Sequence, residues 1–162
     1  MIDLLPELDI PAQMANLPNW VLWRSEIRNG RPTKIPHSVN GQCAKSNDPT
    51  TWDTLEAVQK QAHKYSGIGF QLGVEPCGII AVDLDHCLID GEVEGWARNV
   101  LAAFRSYTEL SPSRQGFHVF FSGKLPGKST KKGKIEIYDR LRYMTVTQYR
   151  DPDYCFPFRT IS

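Results

Sequence analysis

The sequence predicts an α+β fold: a mixed, largely antiparallel sheet with helices packed against it. Three observations lead there. Short runs of β-branched and aromatic residues recur along the chain. Two longer stretches carry apolar residues at helical spacing, and an Asn-Gly pair joins two of the strand-like runs as a hairpin would.

In order, Trp20-Val21-Leu22-Trp23-Arg24 reads as a strand, Asn29-Gly30 as its tight turn and Thr33-Lys34-Ile35 as the return strand. Asn47-Asp48-Pro49-Thr50-Thr51 opens a helix over 52–65, with Leu55, Val58 and Ala62 on one face. Runs 69–73 and 78–85 have strand composition. After Asp90-Gly91, the residues Trp96, Val100, Ala103, Phe104 and Tyr107 recur as one buried helical stripe. A short strand near Thr108-Glu109-Leu110 precedes a longer one over 116–121. A loop bearing Lys124, Lys128, Lys131, Lys132 and Lys134 leads to two closing strands, 134–139 and 142–147, joined by a short turn. No internal repeat interrupts this pattern, and 162 residues suit one domain over 1–162 with a substantial core.

Bulk properties narrow the function classes. A 41% hydrophobic and 23% charged chain is an ordinary globular protein. No apolar run approaches the ~20 residues that span a bilayer, and Met1-Ile2-Asp3-Leu4-Leu5-Pro6-Glu7 lacks the basic region of a secretory signal. Cys43, Cys77, Cys87 and Cys155 are scattered, which fits thiols in a reducing cytoplasm better than a disulfide framework. None of His37, Cys43, Cys77 and Cys87 stands at zinc-site spacing. A net charge of +1 leaves any nucleic-acid binding to local patches.

Three segments place polar residues inside apolar strand-like runs: Ile79-Ile80-Ala81-Val82-Asp83-Leu84-Asp85, Ser113-Arg114-Gln115-Gly116-Phe117-His118, and Ile135-Glu136-Ile137-Tyr138. Such burial is costly without compensation, which divalent cations and a polyphosphate would supply. Residues two apart on a strand share a face, so Asp83 and Asp85 project together with Ala81 while Ile80, Val82 and Leu84 face the core. Alone, this pair reads equally as two solvent-facing acids or as a metal site. Ser113-Arg114-Gln115-Gly116 has turn composition, and a small hydroxyl, a glycine and the His118 imidazole around it, with Arg114 adjacent, suit a triphosphate or its sugar. A lone His118 would read as structural; its place after the acidic pair favours a functional role. For a third acid, Glu136 is preferred over Asp139, because Asp139 falls on the apolar face of Ile135 and Ile137. Arg142 suits phosphate and Tyr143 a base or sugar, although both also suit ordinary packing.

Together these segments resemble the archaeo-eukaryotic primase superfamily, in particular the primase-polymerase (PrimPol) domains at the N-terminus of phage and plasmid replication proteins. That family shows an hhhDxD strand, an S-x-x-G-x-H segment and an hEhY strand running into an RYhThT-like strand, present here as IIAVDLD, SRQGFH and IEIYDRLRYMTVT. The W-V-x-W-R…K-x-P…W segment over 20–52 is also similar, and the likeness spans 18–147. It implies an RNA-recognition-motif-like catalytic sheet with a smaller N-terminal α/β part. It further implies Asp83, Asp85 and Glu136 as ligands of two Mg²⁺ or Mn²⁺ ions, with His118 beside them in the catalytic set. Ser113, Arg114, Gly116, His118, Arg142, Tyr143 and Lys34 would bind the nucleotide. The implied activity is primer synthesis or DNA extension on a single-stranded DNA template from NTPs or dNTPs. A helicase domain or protein would be a partner, and the location a bacterial or host cytoplasm. Gln148 departs from the family, which often has glycine there. The chain would be either the N-terminal piece of a longer replication protein or a short version.

Three rivals were weighed. Gly123-Lys124-Leu125-Pro126-Gly127-Lys128-Ser129 is one residue short of a P-loop and leads into a strand rather than a helix. A DxD-type phosphatase normally has Gly-Thr after its second aspartate, where this chain has His86-Cys87. A non-catalytic single-stranded DNA-binding module would use Tyr138, Tyr143 and the lysines, but its acids would repel phosphate.

Overall fold

The computed structural model describes residues 9–161, so the reading of Met1 to Glu7 lies outside the described residues. After a short helix α1 (Ala12–Ala15), β1 (Trp20–Arg28) and β2 (Arg31–His37) form the expected hairpin. Asn29 and Gly30 both take positive φ, 51° and 74°, as the tight turn requires. The expected 52–65 helix is shorter: α2 spans Leu55–Gln61, with a 3₁₀ turn before it and one after. Asp53 exchanges both backbone hydrogen bonds with Trp20, which holds 52–53 extended. The Thr54 hydroxyl then caps the helix by accepting from the Ala57 N–H.

β3 (Gly67–Gln71) ends two residues earlier than read, because Gly73 turns with φ 104°. β4 (Ile79–Leu84) follows. Asp90-Gly91, read as a lead into a helix, instead closes an unexpected two-residue hairpin of β5 (Leu88–Ile89) and β6 (Glu92–Val93). Helix α3 (Gly95–Phe104) stops where Arg105 turns left-handed, so Tyr107 leaves the helical stripe and begins β7 (Tyr107–Leu110). β8 (Phe117–Ser122) matches its reading closely. The lysine-rich loop contains a further strand, β9 (Thr130–Lys132), paired to β10 (Ile135–Tyr138) and tied to it by the Lys131–Glu136 ion pair. The last strand, β11 (Tyr143–Val146), follows the short turn but does not pair with β10; the two lie in different sheets.

One sheet has the order β11-β3-β1-β2 and the other β7-β8-β4-β10-β9. Every pairing between these strands is antiparallel, and the one parallel contact is an isolated bridge, Ser122 to Thr160. The fold is α+β, more uniformly antiparallel than the sequence indicated. In the second sheet a strand, a helix, two strands and a returning strand (β4-α3-β7-β8-β10) give the order of an RNA-recognition-motif sheet. The lysine arm with β9 stands where a second helix would be expected.

Alternation splits that sheet's side chains cleanly. Ile80, Val82, Leu84, Phe117, Val119 and Phe121 pack on Ala97 and Leu101 of α3. The other face sends Ile79, Ala81, Tyr107 and Phe120 into a core shared with Trp20, Leu22, Phe70 and Met144 of the first sheet. Both faces are therefore buried, and polar residues on the inner face need partners. No helix of the described residues is long and apolar enough to cross a membrane.

Candidate active site

Strand pairing places the acids and the imidazole in one line. Glu136 on β10 opposes Asp83 on β4, Asp83 opposes His118 on β8, and His118 opposes Glu109 on β7. Lys131 on β9 continues the row beyond Glu136. The next row inward on the same face is Tyr138, Ala81, Phe120 and Tyr107, which is core. A charged rung thus sits directly against an apolar one.

His118 holds the middle. Its Nδ1 lies 3.1 Å from the Thr145 carbonyl and 3.7 Å from Glu109 Oε1, and its Nε2 lies 3.6 Å from Asp83 Oδ1. Burial disfavours its charge, but Glu109, Asp83 and the Thr145 carbonyl outweigh burial and raise its pKa. Glu109 is wholly buried. Its carboxylate accepts from the Thr147 and Gln148 amides, at 2.9 and 3.0 Å, and from the Tyr107 hydroxyl. The sequence reading treated Glu109 as part of an ordinary strand. The available signal is an acid between Thr108 and Leu110 in a run with strand composition. Gln148, where the resembling family has glycine, takes φ 60°, and the Glu109 bond secures that strained position.

Asp83 has 14% of its side chain exposed. Burial raises its pKa; Asp85 and Glu136 push the same way, while His118 and Arg142 oppose. Asp85 lies one residue past β4 and stays in the ladder through its amide, which donates to the Lys134 carbonyl. Glu136 is gripped by Lys131 at 2.8 Å, by the Tyr138 hydroxyl and by Arg142 at 3.6 Å. Lys131 and Tyr138 hold its carboxyl below the usual range. The three acids stand at one end of one sheet face. Among the described residues, however, no three His, Cys, Asp or Glu side chains close into a ready metal cage. Asp139 is taken up structurally, accepting from the Leu125 amide and Arg140.

A cleft of about 620 Å³ opens over Asp83 and His118, lined also by Lys34, Arg142, Tyr143 and Thr145. Tyr143 donates its hydroxyl to the Lys34 carbonyl, and its ring packs over Gly69, where a Cβ would come within 2.9 Å. Ser113, Arg114 and Gly116 occupy the turn at the entry to β8 and do not line this cleft. Ser113 bonds within the turn, and Arg114 lies 4.7 Å over the Tyr149 ring. Gly116, read as giving room to a ligand, gives room to the chain itself: a Cβ there would meet the Leu84 carbonyl at 2.4 Å. Gly116→Ala is therefore expected to cost about 1–3 kcal/mol, read as a lower melting temperature, because β4 and the turn must part.

No protein-family model matches this sequence. Over an alignment of 153 positions that covers 86% of the chain, it is 38% identical to a protein named DNA Primase-polymerase from Nitratiruptor phage NrS-1. The match takes in 21% of that relative, so the chain spans about a fifth of the phage protein.

Proposed function

We propose, on the premise of the primase-polymerase domain that this likeness supports, that the chain is a metal-dependent nucleotidyltransferase. It makes primers or extends DNA on a single-stranded template from NTPs or dNTPs, in phage or plasmid replication. The observation that carries the reading is the Glu109–His118–Asp83–Glu136 row, whose two middle members, His118 and Asp83, line a cleft together with Lys34 and Arg142.

The donor set suits Mg²⁺ or Mn²⁺, which prefer carboxylate oxygen. Asp83 is buried and repelled by two neighbouring acids, a strain that a divalent cation relieves. Asp83, Asp85 and Glu136 are the proposed ligands of two ions. Bound ions would supply activation of a 3′-hydroxyl and neutralisation of the triphosphate. On loading, the Lys131 ammonium, 67% exposed, can turn to solvent and leave the Glu136 carboxylate, 7% exposed, to the ion. His118, whose pKa Glu109 and Asp83 raise against the effect of burial, presents Nε2 to an anionic phosphate. Lys34 and Arg142 add positive charge at the cleft rim, and Tyr143 presents the remaining edge of its ring to the nucleotide. Ser113, Arg114 and Gly116 shape the turn at the entry to β8. Catalysis by these groups is positioning and charge stabilisation. A helicase is the expected partner, and a bacterial or host cytoplasm the expected location.

The test is incubation with single-stranded template, labelled nucleotides and Mn²⁺, beside Asp83→Ala/Asp85→Ala. Elongated product from the unaltered chain alone is expected. Template binding without product at any metal concentration would instead identify a non-catalytic single-strand-binding module.

A further inference from the structure

A second cavity, of about 570 Å³, shares no lining residue with the acidic cleft. β11 divides them, giving Thr145 to the cleft and Val146 to the cavity. The cavity is walled by the Trp23 indole, Ile68, Val146 and the Tyr149 ring. Gly67 makes room for the indole, since a Cβ there would meet Trp23 Nε1 at 2.7 Å. Gln59 lines the same space and carries a buried Nε2 with no hydrogen-bond partner among the described residues. Tyr149 is 45% exposed, unusual for a large ring. One cation stands beside the cavity: the Arg114 guanidinium lies 4.7 Å over the ring of the lining residue Tyr149. No carboxylate lines the cavity.

We propose that this cavity seats an unstacked base of single-stranded DNA, with a flanking phosphate held by Arg114. Taking that strand as the template rests on the polymerase reading above. Aromatic and aliphatic walls give a base a stacking surface. The Arg114 guanidinium complements a phosphate of the backbone. The volume is that of a small-ligand pocket.

The test is fluorescence anisotropy with labelled oligodeoxythymidine in EDTA, which removes any contribution from metal-bridged phosphate. Tyr149→Ala is expected to weaken binding about tenfold, within the range for loss of one base stack, and Tyr149→Phe to preserve it. An abasic oligomer is expected to bind the unaltered chain as weakly as oligodeoxythymidine binds Tyr149→Ala. Unchanged affinity in Tyr149→Ala, or equal affinity for the abasic oligomer, overturns the proposal and leaves the cavity to a peptide or a second copy of the chain. The two readings fail separately. Tyr149-dependent binding without primer synthesis removes the polymerase and keeps this site; synthesis with Tyr149-independent binding does the reverse.

Discussion

Asp83→Asn is expected to abolish nucleotide incorporation, by about 10³-fold or more on the scale of lost transition-state charge stabilisation, while making the metal-free chain more resistant to heat. The second half follows from the sign of the Asp83 shift. Burial, Asp85 and Glu136 raise its folded pKa above the unfolded value. The stability contributed by such a group is complete below the unfolded pKa and is lost as pH rises through the folded one. At neutral pH the ionised Asp83 therefore weighs against the fold, and asparagine removes that weight. Melting curves in EDTA should show the variant above the parent, with a gap that narrows as pH falls into the carboxylate range. Added Mn²⁺ should reverse the order, because only the parent gains stability by binding. A variant that melts below its parent in EDTA would contradict the strained-carboxylate account. The same substitution separates the phosphatase rival, which requires a phosphorylated aspartate in the parent.

Glu109→Leu is expected to cost about 3–5 kcal/mol, the scale for removing one member of a buried charged pair. It leaves the Thr147 and Gln148 amides without their acceptor and deprives His118 of a buried counter-charge. Denaturant titration reads the loss. Glu109→Gln should lose less, because an amide oxygen can still accept a backbone N–H. In that variant the imidazole of His118 should titrate lower, as the raising influence of Glu109 is gone. An NMR titration showing His118 unmoved would leave Glu109 a purely structural tie.

The parts of the site that follow from strand parity were legible in the sequence. Asp83 with Ala81, His118 opposite Phe117 and Val119, and Glu136 apart from Ile135 and Ile137 all follow from a period of two, which local pattern fixes. The line joining them was not legible, because it depends on register between strands tens of residues apart. Glu109 escaped notice because a single acid in a four-residue strand carries no repeat. β9 escaped because Thr130, Lys131 and Lys132 have no apolar face, and pairing with β10 makes them a strand. Turn chemistry was the most reliable guide at Asn29-Gly30, yet Asp90-Gly91 has the same chemistry and was passed over. The reach of α3 was overread because Tyr107 continues the helical spacing by coincidence, and the left-handed Arg105 that breaks it has no special composition.

The short link between β10 and β11, residues 139–142, steps directly from one sheet to the other. Beside it, Thr145 and Thr147 are tied to His118 and Glu109. The halves of the molecule are sewn together at the place where chemistry is proposed, so they cannot swing apart like jaws to admit a substrate. A substrate must therefore fit the cleft as the two sheets already hold it, with Asp83 and His118 fixed in its wall.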